Sequence, residues 1–525
     1  MNSSFNYLPQ NERKKIMLIC DDIRVHSGVA TVARELVLNT AQHFNWVNIA
    51  GAISHPEKGK RFDISIDTNT NTGLTDASVF LYPVDGYGDP DLIRQLIDME
   101  KPDAIMLITD PRYFEWLFMI ENEIRKTTPI IYLNIWDDYP APLYNKSYYE
   151  SCDALLAISK QTQLINELVL DEKRGKKIIE YVPHGLNHEL YYPIEKEDEL
   201  KELADFKSNI FGGKEKDFVV FFNSRNIRRK QIPDTMFAFK IFLDTLPKEK
   251  AEKCALLMHT EMVSDHGTDL DAVRKMLFVD YPNAVYFSLN KLDNKQLNMM
   301  YNIADAQILL TSNEGWGLSL TEAILAGTVI IGNVTGGMQD QMGFEDEFGN
   351  WYTPSPEIPS NHTGRYKNHG CWAFPVYPTN RSIQGSPKTP FIWDDRCNAE
   401  DAAAQIGKVY DLDRTMRKEL GKTGRSWAID EVGFTGEAMG ARAITAIDQL
   451  FNTWTPRERY ELINVNDVKE NIIKTQNLYI KNKVMSKPTF VISCPINTYS
   501  GYGARSRDIV KAIIELDKYD SKNIN

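Results

Sequence analysis

Two glutamates, Glu314 and Glu322, stand eight positions apart across a glycine-rich turn in the second half of the chain. The turn, 311–317, follows a short apolar run, 306–310, which is typical of a buried parallel strand. After the turn, apolar residues recur at helical spacing until Gly327, a residue type that commonly ends helices. A glycine turn that opens a helix presents unpaired backbone N–H groups and partial positive charge. We therefore expect this segment to bind a diphosphate, with the two glutamates accepting hydrogen bonds from a ribose or a sugar.

Each feature alone also has a plainer interpretation, in which Glu322 is a solvated helix residue and the glycines only mark turns. Their order makes the functional interpretation more specific. A second apolar run, 329–332, predicts another buried strand, and it leads to the diglycine turn Gly336-Gly337 and then to Asp340. The whole segment thus predicts a unit of strand, loop, helix, strand and loop.

This unit resembles the E-x7-E region of retaining GT-B glycosyltransferases of the group 1, or family 4-like, type. The family pattern is Glu-Gly-x-Gly-Leu-x-x-x-Glu-Ala, then a buried strand and Gly-Gly-x-x-Glu or Asp. In this chain the pattern stands at 314–318, 322–323 and 336–340. The resemblance implies a nucleotide-sugar donor, UDP- or GDP-linked, a hydroxyl acceptor such as a glycan, and no metal or other cofactor.

A basic segment follows another predicted buried strand, 218–222. Similar transferases place an Arg and a Lys at this spacing on the donor diphosphate, and Arg225 and Lys230 match those positions. Two fixed cations would stabilise the negative charge that grows on the leaving diphosphate. Arg228 and Arg229 stay open as alternative contacts or as a solvated basic turn.

The resemblance implies a site assembled from both halves of the chain. The predicted catalytic residues are Glu314, Arg225, Lys230 and Asp137. The predicted donor-binding residues are Gly28, Gly317, Leu318, Ser319, Glu322, His184, Gly336 and Gly337. Related enzymes often carry a His in the segment 134–140, but this chain has none there, so Trp136 is interpreted as a wall and Asp137 or Asp138 as a ligand for sugar hydroxyls. Gly28 and His184 also fit purely structural turns.

The first half of the chain alternates apolar runs with segments of helical spacing, beginning with the predicted strand 15–20. Alternation of this kind predicts right-handed crossovers and parallel sheets covered on both faces. We therefore expect an α/β protein of the GT-B class, with two Rossmann-like doubly wound parallel-sheet domains facing across a cleft, and a C-terminal extension. In such sheets ligands bind at the carboxyl ends of the strands.

The predicted domains follow from this alternation and from the resemblance. An acceptor-side domain is expected at 1–205 and a nucleotide-sugar-binding domain at 206–430, with a crossover helix returning to the first domain at 431–465. An insertion rich in aromatic residues, Pro and Gly interrupts the second domain at 342–397, and we interpret it as an ordered flap beside the cleft or as padding on the domain edge. The extension, 466–525, resembles the start of a second transferase module.

That resemblance lies in the tail 487–525, where Ser500-Gly501 and Arg507 repeat the order of Ser27-Gly28 and Arg34 after a strand of similar character. So short a piece cannot build a core of its own. The tail is therefore expected to pack on the body, to mediate self-association, or to belong to a tandem arrangement. Chance similarity of two strand–turn–helix units stays open.

The composition limits the function classes. A charged content of 25% with 42% hydrophobic residues is that of a globular protein, and the net charge of −12 argues against a protein that coats nucleic acid. No apolar run reaches the ~20 residues that span a bilayer, and the N-terminus lacks the apolar core of a secretory signal. Six scattered cysteines without metal-binding spacing indicate reduced thiols, so a cytoplasmic protein is expected, in the host cytoplasm if the chain is viral.

These observations and the family resemblance predict a glycosyltransferase, either a hexosyl- or a pentosyltransferase. The resemblance implies retention of the anomeric configuration and independence of metal. Two alternatives stay open. One is a different enzyme on the same fold, such as a sugar-nucleotide epimerase or a transferase that glycosylates hydroxylated bases of viral DNA. The aromatic flap and the Asn- and Tyr-rich sequence, which resembles phage-encoded proteins, favour the DNA transferase among these. The other is a non-catalytic scaffold that has kept the GT-B fold.

Overall fold

The computed structural model describes residues 7–456 except 176 and 359, together with 493–494 and 501–520. Residues 1–457 form one compact unit and residues 458–525 form another. In the second unit the described structure is mainly one helix, Gly501–Asp520. The predicted strand before it, which carries half of the resemblance to a second module, lies almost wholly outside the described residues.

The first sheet has the strand order β3-β4-β2-β1-β5-β6-β7-β8 and is parallel except for β3, which runs antiparallel to β4. Apolar runs such as Ala104–Thr109, in which every residue is buried, form these strands because both faces of a parallel sheet are covered by helices. The strand bounds are β1 Lys14–Asp21, β2 Phe44–Ala52, β3 Phe62–Asp63, β4 Val79–Asp85, β5 Ala104–Thr109, β6 Ile130–Asn134, β7 Ala154–Ala157 and β8 Ile178–Tyr181.

The second sheet has the order β11-β10-β9-β12-β13-β14, and its paired strands are parallel. Its bounds are β9 Phe218–Asn223, β10 Cys254–His259, β11 Val285–Ser288, β12 Ala306–Leu309, β13 Val329–Asn333 and β14 Ala373–Val376. A separate antiparallel hairpin pairs β15, Asn380–Ser386, with β16, Thr389–Arg396. Two mainly parallel sheets, whose strands alternate with helices along the chain, confirm the predicted GT-B class of fold.

The helices cover both sheets and are numbered in chain order. Their bounds are α1 Gly28–Leu38, α2 Ser65–Thr72, α3 Pro90–Glu100, α4 Glu115–Met119, α5 Glu121–Ile124, α6 Lys146–Glu150, α7 Lys160–Leu170, α8 Glu197–Ile210, α9 Ile232–Asp244, α10 Lys248–Ala251, α11 Leu270–Leu277, α12 Asn294–Ile303, α13 Leu318–Leu325, α14 Met338–Gln341, α15 Ala399–Asp411, α16 Arg414–Ser426, α17 Gly436–Thr453 and α18 Gly501–Asp520. No helix among the described residues is long and apolar enough to span a membrane.

The segment 342–397, interpreted from the sequence as an insertion, is partly built into the second sheet. Its strand β14 pairs with β13 and contains Pro375. Proline lacks a backbone N–H and is tolerated in edge strands, and β14 is an edge strand of this sheet. A short proline-containing strand has little sequence signal, which is why the sequence interpretation did not separate it from the flap.

Helix α17 packs against the first sheet although it follows the second sheet in sequence. The Phe434 carbonyl accepts a hydrogen bond from the Leu186 N–H at 3.2 Å, and the Gly436 N–H donates to the Leu186 carbonyl at 3.0 Å. On the same helix, Asp448 lies 3.0 Å from the Nε2 atom of His43. The chain therefore crosses twice between the two sheets, through the segment before α8 and through the segment before α17.

Candidate active site

Loops at the carboxyl ends of both sheets contact one another. The loop after β6 contributes Asp137, whose Oδ1 atom accepts a hydrogen bond at 3.0 Å from the Gly315 N–H in the loop after β12. The loop after β1 contributes Gly28, where an added Cβ would lie 3.4 Å from the Leu318 side chain at the start of α13. The strand ends on which ligands bind in such sheets therefore face one another here.

Glu314 is held by two cations from the turn after β9. Its Oε2 atom accepts hydrogen bonds from Arg229 Nη1 at 2.9 Å and from the Lys230 ammonium group. Burial opposes ionisation of this carboxyl, but Arg229 and Lys230 outweigh burial and lower the pKa of Glu314 to about 2. Glu314 is therefore an anion at neutral pH.

Asp137 adds a second carboxylate to this cluster. Its Oδ2 atom lies 3.5 Å from the Arg229 Nε atom. Burial raises the pKa of Asp137, and the nearby Glu314 carboxylate raises it further, while Arg229 opposes the rise. Two carboxylates and two cations from the two domains thus meet at one position, with Lys230 and Glu314 buried and Asp137 and Arg229 half-buried. We name this group the charged cluster: Asp137, Arg229, Lys230 and Glu314.

The cluster contains Arg229 where the sequence prediction placed Arg225. Arg225 is exposed, whereas Arg229 is held in the short 3-10 turn Arg228–Lys230 and also donates to the Asn313 carbonyl at 2.7 Å. The two arginines are four residues apart, and the fold of the turn determines which of their side chains faces inward. Spacing along the sequence does not show this orientation. The role of Arg225 stays a prediction, while Lys230 lies in the cluster as the prediction requires.

Glu322, within helix α13, occupies a different environment from Glu314. Its carboxyl accepts hydrogen bonds from Tyr191 Oη at 3.2 Å, from Asn223 Nδ2 at 3.3 Å and from the Tyr301 hydroxyl. Burial raises the pKa of Glu322, and these neutral donors oppose the rise. Tyr191, Asn223 and Tyr301 could not be predicted as site residues, since nothing in their local sequence distinguishes them from core residues.

The start of α13 supplies backbone donors between the two glutamates. Gly317 precedes the helix with a φ of +92°, a conformation that favours glycine. Among the residues that the structure describes, no side chain caps this helix start, which leaves the N–H groups of Leu318 and Ser319 to bind a ligand. An anion placed here would meet these groups and the positive end of the helix dipole.

The second diglycine turn packs directly behind the Glu314 loop. Gly336 has a φ of +53°, and an added Cβ would lie 2.1 Å from the Glu314 carbonyl oxygen. At Gly337 an added Cβ would lie 2.0 Å from the Gly315 carbonyl oxygen. These contacts show that both positions require glycine for close packing of the two loops, and their predicted contact with the donor stays a prediction.

His184 lies beside this packing on the first-domain side. It is buried, and its ring centroid is 6.2 Å from that of Trp316. Burial lowers the pKa of His184 to about 3, although Glu314 opposes the shift. The imidazole is therefore neutral, and within the described part of the chain its buried Nδ1 atom has no hydrogen-bond partner.

Asp340, in the second domain, contacts residues of the first domain. Its carboxyl accepts hydrogen bonds from the Lys160 N–H at 2.9 Å and from Tyr181 Oη at 3.1 Å. Burial raises the pKa of Asp340 to about 6, against the opposing effect of Lys160. Asp340 thus connects the two domains rather than pointing toward the charged cluster's cations. Within the residues that the structure describes, no group of three or more His, Cys, Asp and Glu side chains is arranged to hold a metal ion.

Comparisons with known proteins agree with this architecture. Residues 205–355, which contain Lys230, Glu314 and Glu322, match the family model described as "Glycosyl transferases group 1". No curated protein matches the chain.

Several solved structures share the fold. A glycosyltransferase from Rickettsia africae ESF-5 is 14% identical, with a TM-score of 0.57, and the match covers 84% of this chain and 100% of that one. Sucrose-phosphate synthase from Thermosynechococcus elongatus is 16% identical, with a TM-score of 0.59 and the same coverage. Anabaena HepE in complex with UDP and glucose is 12% identical, with a TM-score of 0.56, covering 83% of this chain and 100% of that one. The chain thus shares the GT-B fold of these structures, and its residues 205–355 match the group 1 glycosyl transferase model.

Proposed function

We propose that this protein transfers a sugar from a nucleotide-sugar donor to a hydroxyl acceptor. The observation that carries the proposal is the pairing of Arg229 and Lys230 with Glu314, whose side chain lies beside Gly317 at the uncapped start of α13. A donor diphosphate bound at this helix start would meet both cations. They would stabilise the charge that develops on the diphosphate as the sugar leaves.

The charged cluster also suggests how binding changes its pairing. With Asp137 and Glu314 ionised, the cluster contains two negative and two positive charges, so a diphosphate brings excess negative charge that the cations can share. Arg229 and Lys230 would then turn from Glu314 to the diphosphate, because phosphate oxygens form strong charge-assisted hydrogen bonds. Glu314 would be released to accept hydrogen bonds from the sugar hydroxyls, and Glu322 would accept them from the ribose.

The finer features of the reaction belong to the same proposal. We propose a UDP-linked donor, because Anabaena HepE is described in complex with UDP-glucose and a trehalose-6-phosphate protein from E. coli with UDP-2-fluoro glucose. Resemblance to the E-x7-E pattern supports retention of the anomeric configuration, with the departing phosphate taking the acceptor proton. Arg229 and Lys230 would provide the positive charge, so transfer should proceed in the presence of EDTA.

A thermal-shift screen of UDP-, GDP- and ADP-sugars tests the proposal. Binding of a ligand to the folded state stabilises it by about 2.7 kcal/mol at a concentration of 100 Kd, so the correct donor should raise Tm measurably. Lys230→Ala should remove this shift, whereas Lys240→Ala on the outer surface of α9 should keep it. The absence of a shift with every nucleotide-sugar, together with no sugar release, would contradict the proposed function.

A further inference from the structure

The hairpin β15–β16 presents two different faces. Alternate residues of a strand point to opposite sides, so Gln384, Ile392 and Asp394 share one face, and Trp393 with Ile383 lies on the other. An isolated two-stranded hairpin is at best marginally stable in water. The contacts that hold this hairpin must therefore come from the surfaces on either side of it.

One set of contacts joins the hairpin to the donor side of the cleft. The Gln384 Oε1 atom accepts a hydrogen bond from Arg228 Nη1 at 3.1 Å, and Asp394 Oδ1 accepts one from Asn313 Nδ2 at 2.8 Å. Arg228 directly precedes Arg229, and Asn313 directly precedes Glu314. The hairpin therefore lies against both loops that form the charged cluster.

The other set joins the hairpin to the first domain. The Trp393 N–H donates to the Tyr139 carbonyl at 2.7 Å, and Tyr144 Oη donates to the Phe391 carbonyl at 2.9 Å. The rings of Tyr144 and Phe391 meet edge to face, with their centroids 4.9 Å apart. All of these first-domain residues follow β6, on the same loop as Asp137.

The tip of the hairpin contacts residues that follow β5, the strand next to β6 in the first sheet. Thr389 accepts a hydrogen bond from the Arg112 guanidinium group, and the Lys388 ammonium lies 3.5 Å from the Glu115 carboxylate. Arg112 and Glu115 follow β5. The hairpin thus crosses from the second domain to the loops after β5 and β6, next to the loops that carry the charged cluster.

We propose that the hairpin makes the acceptor site a pocket with one closed end, so that the acceptor is a small hydroxylated molecule or the end of a chain. A cleft open at both ends accepts the interior of a polymer, but a closed one accepts only a terminus. The acceptor enters beside the ends of β1 and β4, where Asp21 accepts hydrogen bonds from Tyr87 Oη at 2.7 Å and from Ser27 Oγ at 2.5 Å. This inference rests on the proposed function and identifies the class of its acceptor; it excludes the interior of duplex DNA.

A shortened hairpin tests the inference. Replacing residues 385–391 by Asn-Gly removes the contacts with Arg112, Glu115 and Tyr144 and leaves Gln384 opposite Ile392 as the last pair before a two-residue turn. The contacts with Arg228, Asn313 and Tyr139 remain. A thermal-shift measurement with the UDP-sugar found in the screen shows whether this variant folds and binds the donor.

The acceptors compared are maltoheptaose, which has chain ends, and β-cyclodextrin, which contains the same sugar units without ends. We expect the intact protein to prefer maltoheptaose by at least about 50-fold in kcat/KM, and the shortened variant to lose at least about tenfold of this preference, since an acceptor that cannot seat loses transition-state binding. Equal use of both acceptors by the intact protein, or an unchanged preference in the variant, would overturn the inference.

If neither glucan accepts the sugar, the rate of UDP-sugar hydrolysis tests the inference instead. Shortening the hairpin would open the closed end and admit water to the donor. The shortened variant should then hydrolyse the donor about tenfold faster than the intact protein, and an unchanged rate would overturn the inference. Failure of the intact protein to bind or turn over any nucleotide-sugar would instead overturn the proposed function, and the acceptor class with it.

Discussion

Glu314 and Glu322 belong to one motif and are buried to the same extent, with 9% and 8% of their surface exposed, yet their environments are opposite. Two cations surround Glu314 and lower its pKa to about 2. Hydroxyl and amide groups surround Glu322, and burial raises its pKa. The motif thus supplies two carboxyl groups, and residues far away in sequence determine their environments. Glu314 is paired with cations, whereas Glu322 accepts hydrogen bonds from neutral groups.

The largest effect is expected from removing a cation next to Glu314. Lys230→Ala should lower donor turnover by about 10²–10³-fold, because one preorganised charge that stabilises the leaving diphosphate is lost. Steady-state release of nucleotide diphosphate measures this. Lys240→Ala, which removes a cation paired with Asp244 on the surface of α9, is the control and should retain normal turnover. Turnover within threefold of normal in Lys230→Ala would show that the cluster is not the diphosphate site.

Neutralising each glutamate in turn tests the comparison through stability. Glu314→Gln leaves Arg229 and Lys230 without their shared carboxylate and should lower the free energy of unfolding by about 3–5 kcal/mol. Glu322→Gln keeps an oxygen acceptor among neutral donors and should cost about 1 kcal/mol. Urea unfolding at pH 7 measures both values. Equal losses would mean that the two environments do not differ in the way described.

The same two variants should respond to pH in opposite ways. The pKa of Glu314 is lowered in the folded state, so its stabilising contribution is present above about pH 4.5 and is lost as the pH falls toward about 2. The pKa of Glu322 is raised, so its burial costs stability progressively as the pH rises from about 4.5 to the higher folded-state pKa. The normal protein should therefore lose stability relative to Glu314→Gln below pH 4.5 and relative to Glu322→Gln on going from pH 4.5 to pH 8. If the free energy of unfolding of all three proteins changed with pH in the same way across this range, the pKa directions given for Glu314 and Glu322 would be wrong.

The smallest effect is expected at Arg225. Because this side chain is exposed, Arg225→Ala should change donor turnover by less than about threefold, as is usual for surface substitutions. Arg229→Ala should reduce turnover about as strongly as Lys230→Ala. The reverse order of the two arginine variants would restore Arg225 to the diphosphate site and require the turn to rearrange when the donor binds.

Local pattern accounts for the residues that were found from the sequence. Glu314, Gly317 and Glu322 follow one another within a single strand, turn and helix, so their spacing alone places them together. Lys230 follows a buried strand of the same sheet, and the carboxyl ends of parallel strands share one edge. The predicted fold class was confirmed for the same reason, since apolar runs alternating with helical spacing specify two covered parallel sheets.

Residues that depend on contacts distant in sequence could not be predicted in this way. Tyr191 reaches Glu322 across 131 positions, and Tyr144 reaches the Phe391 carbonyl across 247. The aromatic composition of 342–397 indicated an ordered flap but not which loops it would contact. Whether Arg225 or Arg229 faces the cleft depends on the short turn after β9, whose geometry is set by the loops packed against it.

The sequence by itself determined that the chain forms two parallel sheets and that one strand–turn–helix unit brings two glutamates next to a helix start. Hydrophobic periodicity and glycine turns act locally, so they can be recognised without knowing what packs around them. Only the tertiary structure decided that Glu314 is balanced by Arg229 and Lys230, that Glu322 is surrounded by neutral donors, and that a hairpin connects the loops of both domains beside the charged cluster. These features depend on burial and on charges brought together from distant segments, and burial is a property of the folded chain.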